Sequence, residues 1–222
     1  MPDTLSSPKV AALLSRLFST ADRNDPEILA RIQKEADERF GGQRYAPELA
    51  PLFDRAYLCV PPEVGRLLYV LTRANRPNIV VEAGTSFGVS AIHIGSALKD
   101  NGQGRLISAE LSQVKAAAAA ENLKSVGLSE LVEIRCGDAF QVLKNIDAPI
   151  DMLFLDGWKD GYLPLLKMME SSLALGALVI GDDTKLFPER LAAYLSYVRE
   201  PRNGYHSIDL PIGDGVELSV RM

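Results

Sequence analysis

The stretch Ile79-Val80-Val81-Glu82-Ala83-Gly84-Thr85-Ser86-Phe87-Gly88 passes from a continuously apolar run into a turn that carries two glycines. An apolar run without alternation suits a strand buried on both faces, as parallel strands covered by helices are. Gly84 lets a ligand approach the backbone closely, and Gly88 lets the following helix start tight against the sheet. Open α/β sheets bind ligands outside the carboxyl ends of their strands, and a turn of this kind lies there. The dinucleotide fingerprint G-x-G-x-x-G is not present: ending at Gly88, it would need glycine at Thr85. Glu82, placed just before the turn, suits a ligand with a positive amino group better than a pyrophosphate. A tight turn without a ligand is the plainer alternative.

Outward from this turn the chain alternates. Runs 78–82, 105–110, 131–136, 150–156 and 177–182 read as strands, and 90–98, 112–126, 139–146 and 162–175 as helices. Alternation of this kind implies right-handed crossovers and a parallel sheet covered on both faces, a doubly wound α/β fold. The ending differs. Runs 205–210 and 216–220 alternate in character around Pro211-Ile212-Gly213-Asp214-Gly215, which predicts an antiparallel hairpin. Before the turn, 8–20 and 26–40 carry apolar residues at helical spacing, with Ile28, Ile32, Ala36 and Phe40 on one face. Pro47, Pro51, Pro61 and Pro62 then interrupt the pattern ahead of a helix over 63–73. The division this predicts is an N-terminal helical extension, 1–60, belonging to the same domain as the α/β unit 61–222.

Composition narrows the function. The 222 residues are 47% hydrophobic and 24% charged, which is ordinary for one globular domain with a sizeable core. The net charge is -5 and Lys and Arg form no block, which argues against a polynucleotide held through its phosphates. The brief apolar run 10–14 is too weak for a secretion signal, and no stretch approaches a membrane span. Cys59 and Cys136 lie far apart and form no metal or redox motif, so both read as reduced thiols of a cytoplasmic protein.

Acidic residues close the later strands. Glu110, about twenty residues past the glycines, is placed to accept both hydroxyls of a ribose. Asp138, in Gly137-Asp138-Ala139, can accept from an adenine amino group, cap the helix that follows, or do both. Asp156 heads Asp156-Gly157-Trp158-Lys159-Asp160, and Gly181-Asp182-Asp183 closes the fifth strand. Adjacent parallel strands lie about 4.8 Å apart, so Asp156 and Asp182 can converge on one ion, with Asp183 as a third carboxylate. Oxygen ligands without His or Cys point to Mg²⁺, Mn²⁺ or Ca²⁺ rather than zinc. Helix capping, or pairing with Lys159 and Lys185, is the alternative for these acids. Trp158 reads as core, rim or substrate wall, and His93 and His206 as structural.

Together the glycine turn through Val89-Ser90, Glu110, Asp156-Gly157-Trp158-Lys159-Asp160-Gly161-Tyr162 and the pair Asp182-Asp183 resemble the catechol and caffeoyl-CoA O-methyltransferase family. The resemblance runs from about residue 60 onward, and the Asp-x-Trp-Lys-Asp-x-Tyr segment is its most specific part. It implies a Rossmann-like, mostly parallel sheet of seven strands with an antiparallel last strand. It also implies S-adenosylmethionine (SAM) as cofactor, a divalent cation, and transfer of a methyl group to a hydroxyl of a small, catecholic molecule. Carried over by position, Glu82, Gly84, Ser86 and Ser90 hold the methionine end, Glu110 the ribose, and Asp138 and Ala139 the adenine side. Asp156 serves cofactor and metal, and Lys159 is the general base, its pKa lowered by the cation and by burial. The family usually has Asp-Asn where this chain has Asp182-Asp183, so the cluster is more negative here. Homodimers are common in the family. Two other functions fit parts of the pattern: methylation of a hydroxylated tRNA base, and cofactor binding without turnover. Tyr45, Phe53 and Tyr57 are candidates for the acceptor wall, with core packing the alternative for each.

Overall fold

The computed structural model describes residues 3–43, 47–146 and 148–222. Tyr45, one candidate for the acceptor wall, lies outside them. Strands β1 (Ile79–Ala83), β2 (Arg105–Glu110), β3 (Val132–Cys136), β4 (Ile150–Leu155), β5 (Leu173–Asp182), β6 (Tyr205–Leu210) and β7 (Val216–Arg221) form one sheet in the order β3-β2-β1-β4-β5-β7-β6. The first five pair in parallel, and β7 runs antiparallel between β5 and β6. This is the doubly wound, mostly parallel arrangement with an antiparallel last strand that the sequence predicts.

Period-two alternation sends successive strand residues to opposite faces, and a separate core fills each. On one face Val80, Leu106, Met152, Phe154 and Ile180 pack against the helices α2 (Pro62–Asn75) and α3 (Val89–Asn101). On the other, Val81, Ile107, Leu153, Leu155 and Val179 meet α6 (Tyr162–Met169) and α7 (Pro188–Arg199). Helix α4 (Gln113–Ser125) follows β2, and the single turn α5 (Ala139–Val142) follows β3.

Three elements differ from the sequence expectation. Two N-terminal helices are predicted, yet one 32-residue helix, α1 (Pro8–Arg39), runs straight through Pro26. Proline removes one helix bond, here to the carbonyl of Asp22, and residues 22–24 are exposed, so water can take that bond. The helix expected over 139–146 ends at Val142. The helix expected over 162–175 stops at Met169, and Leu173-Ala174-Leu175 instead opens the ten-residue β5. Short apolar runs carry no period that separates helix from strand.

The extension packs onto the rest. Val10, Leu13, Leu14 and Leu17 share the first core with Val64 and Leu68. Farther along α1, Ile32 and Ala36 form a small cluster with Leu49 and Phe53 of a 3-10 helix, Pro47–Arg55. That helix hangs over the carboxyl ends of the strands. Among the described residues no helix is long and apolar enough to cross a membrane.

Candidate active site

Strand order reverses between β1 and β4, which opens a crevice at their carboxyl ends. Gly84 leaves β1 and Asp156 leaves β4 at this point. They lie so close that a Cβ on Gly84 would sit 2.4 Å from the Asp156 carbonyl oxygen, and Gly84 has φ +107. Glycine is required here by the neighbouring strand as well as by the dihedral. Above the crevice lies a cavity of about 1000 Å³, a size that fits a nucleoside cofactor with a small second molecule.

Of the residues singled out from the sequence, Gly84, Ser86, Glu110, Asp138, Ala139, Asp156, Lys159, Asp182 and Asp183 all line this cavity. Glu110 is held by two backbone amides: Ser86 donates to Oε2 at 2.7 Å and Ser112 to Oε1 at 2.8 Å. Each carboxylate oxygen keeps a lone pair for a ligand hydroxyl. Asp138 caps α5 by accepting from the Phe140 amide at 3.0 Å and lines the cavity as well.

Two residues are not brought to the cavity. Glu82 is fully buried beneath the turn, where its Oε2 accepts from the Ser108 hydroxyl and Thr85 hydrogen-bonds Ser108 in turn. Burial pushes the Glu82 carboxyl up to about 7, against the hydrogen bonds from Ser108 and Ser90. Ser90 is buried and borders only a small side pocket with Tyr57 and Ser86. A strand buried on both faces turns Glu82 into the protein, while the side pocket that Ser90 borders is also lined by Gly84 and Asp156 of the main cavity.

The carboxylates converge on Lys159. Its ammonium lies 2.6 Å from Asp183 Oδ2 and 3.3 Å from Asp156 Oδ1, and it donates to the Tyr162 hydroxyl at 2.9 Å. Tyr162 in turn donates to the Asp182 carbonyl at 3.3 Å. Asp182 is buried, its Oδ1 has no partner, and burial together with the Asp183 charge pushes its carboxyl up to about 7. Burial, with the charges of Asp182 and Asp183, also raises Asp156 well above the usual carboxylate range, against the pull of Lys159. Burial alone would lower the pKa of Lys159, but Tyr162, Asp156 and Asp183 outweigh it and hold the ammonium well above its ordinary value. The lowering that burial alone would give Lys159 is thus outweighed by Tyr162 and its acidic neighbours. Among the described residues no group of three or more His, Cys, Asp or Glu stands ready as a metal shell. Asp156 and Asp183 close on the ammonium instead, while Asp182 meets the group only through its backbone carbonyl, which accepts from Tyr162.

The far wall comes from the extension, through Leu29, Pro51, Phe53 and Asp54. Phe53 meets Trp158 edge-on at 5.6 Å, and Arg190 pairs with Asp160 on the same rim. Phe53 is therefore both core and wall, while Tyr57 stacks on Phe87 at 4.0 Å and faces the side pocket only. Lys115, 6% exposed on α4, also lines the cavity. Burial lowers its pKa, and the charges of Glu110, Asp25 and Asp54 draw it back up. Little in the local sequence marks Lys115, since two of its three acidic neighbours, Asp25 and Asp54, come from the distant N-terminal extension.

Residues 81–184 match the family model described as a methyltransferase domain, and these are the residues that build the turn, Glu110, Asp138 and the acidic cluster. That match takes in 104 of the 222 residues, a little under half of the chain. Among curated relatives, a catechol O-methyltransferase of Niastella koreensis is 32% identical over 130 residues, covering 57% of this chain and 58% of that protein. The chain thus spans little more than half the length of the curated relatives it matches first. A solved methyltransferase of Geobacter sulfurreducens superposes with a TM-score of 0.66 at 25% identity, covering 93% of this chain and 96% of its own. An O-methyltransferase of Streptomyces achromogenes, solved in complex with SAM, superposes at 0.66 and 23% identity over 97% and 99%. The fold of these solved structures is therefore shared along nearly the whole chain.

Proposed function

We propose that this protein is a SAM-dependent O-methyltransferase acting on a small, hydroxylated, catechol-like molecule. The observation that carries this reading is one cavity with two kinds of wall. Gly84, Ser86, Glu110 and Asp138 suit a nucleoside cofactor on one side, and Lys159 with Asp156, Asp182 and Asp183 faces it on the other. Relatives named catechol O-methyltransferase and a neighbour solved with SAM support both halves.

In this reading the cofactor supplies the methyl group. Glu110, fixed by the Ser86 and Ser112 amides, accepts from the ribose hydroxyls, and Asp138 from the adenine amino group. The donor set also fits a hard divalent cation. Asp156 and Asp183 share one ammonium, and beside them Asp182 Oδ1 is buried without a hydrogen-bond partner among the described residues. Such an ion would draw on Asp156, Asp182 and Asp183 once Lys159 is displaced from them, and would supply Lewis acidity at the acceptor oxygen. Lys159 is placed to take the hydroxyl proton. For that its carboxylate partners must first be neutralised, since they hold it in the ammonium form. Phe53 and Trp158 enclose the acceptor and exclude water, so that the hydroxyl oxygen and the methyl carbon stay aligned.

The test is a transfer assay with SAM, Mg²⁺, a catechol panel and bulk tRNA, together with calorimetry of SAM binding. The expected result is a methylated catechol, activity lost in EDTA, and SAM binding weakened about tenfold or more by Glu110→Ala as its hydrogen bonds to the ribose are lost. Transfer to tRNA alone, or SAM binding without transfer to any acceptor, overturns the reading.

A further inference from the structure

We infer that Asp25, far from the methyltransferase domain in sequence, is a positioning residue for the cofactor site. This rests on the reading of that site as one for SAM. Asp25 lies in the middle of α1, and its carboxylate accepts from two consecutive backbone amides, Tyr57 to Oδ1 at 2.7 Å and Leu58 to Oδ2 at 2.9 Å. These residues belong to the short strap joining the 3-10 helix to α2. Leu58 lies at φ +46, a left-handed conformation that side chains other than glycine rarely adopt. A strap left to itself would relax out of it. The bidentate grip of Asp25 holds it there.

What the strap touches gives that grip its purpose. The Tyr57 carbonyl accepts from the Ser86 hydroxyl at 2.5 Å, and the Tyr57 ring stacks on Phe87 at 4.0 Å and 9°. Ser86, itself at φ +47, donates its amide to Glu110. An unbroken series of contacts therefore runs from α1 through the strap and the glycine turn to the carboxylate that accepts the ribose. Leu58, Cys59 and Val60 also form part of the cavity wall. Asp25 touches neither cofactor nor acceptor and acts through Ser86 and Glu110.

Calorimetry of SAM binding to the full chain tests this, with Asp25→Ala, Asp25→Asn, and Asp25→Ala combined with Leu58→Gly. Loss of both hydrogen bonds to a charged acceptor should raise the Kd of Asp25→Ala by about tenfold or more. The asparagine variant keeps one acceptor and should fall between. Glycine adopts positive φ without help, so adding Leu58→Gly should recover most of the lost affinity, which a general weakening of α1 would not allow. Wild-type Kd in both Asp25→Ala and Asp25→Asn overturns the assignment, as does a double variant no better than the single. Should Asp25→Ala not fold, the isosteric Asp25→Asn decides. Parent and variants titrating alike sinks this assignment only. A parent that does not bind SAM at all sinks the proposed function, and the assignment with it.

Discussion

Glu82 shows how a buried residue sets a pH response. Its carboxyl titrates near 7 in the folded chain, chiefly because burial disfavours the charge, whereas an exposed glutamate titrates near 4.5. Below about pH 4.5 both states hold the proton and Glu82 costs nothing. As pH rises from there through 7, the unfolded state loses its proton first and folding loses stability, by an order of ~3 kcal/mol in all. Glu82→Gln should therefore overtake the parent in urea stability between pH 5 and 8, and equal curves at both pH values would show that Glu82 ionises freely. From sequence, Glu82 reads as a ligand to an amine, because position relative to the turn is visible and the direction of a side chain from a doubly buried strand is not. Gly84, by contrast, is legible: two glycines after an apolar run announce a close approach, which turns out to be with the Asp156 backbone. The motif brings Lys159 to notice, but the neighbours that raise its pKa are Tyr162, Asp156 and Asp183, and the last meets it from another strand.

At the scale of elements, α7 and β5 meet at Gly181. A Cβ there would lie 2.8 Å from Tyr194 Cε1 and 2.9 Å from its hydroxyl. Tyr194 is buried and packs edge-on against Tyr162, whose hydroxyl receives the Lys159 ammonium. Gly181→Ala should cost about 1–3 kcal/mol by overpacking, read from urea unfolding. Gly176→Ala, in the same strand at φ +82 with open space around its Cβ, should cost only the dihedral strain of about 1–2 kcal/mol. Gly181→Ala should also slow methyl transfer by displacing Tyr162, while Gly176→Ala should not. Equal turnover in the two would break the proposed link from α7 to Lys159. Elements were read well where punctuation was strong, as at the β6–β7 hairpin, and poorly where it misled. Pro26 signals a stop that α1 ignores, and nothing in the local sequence marks Asp25, whose partners, the Tyr57 and Leu58 amides, lie 32 and 33 residues on.

Across the whole molecule, the extension and the α/β unit share a core through Val10, Leu13, Leu14 and Leu17. A chain starting at residue 61 should lose its cooperative thermal transition, because Val64 and Leu68 would face water. A sharp melt with parental SAM affinity in that fragment would make the extension a separable cap. The fold class was legible because alternation of apolar runs is a property of the whole chain, insensitive to errors of several residues at each boundary. The cavity's outer wall was not, since it is made by the docking of α1 and the 3-10 helix, which no local pattern records. One feature of the sheet also bears on how the molecule is assembled in time. β7 lies between β5 and β6 yet is the last of the three to be synthesised. Until residues 216–221 emerge, β5 presents an open, apolar edge, and β6 has nothing to pair with. During synthesis the nascent chain must therefore pass through a stage in which its most reactive edge is unguarded.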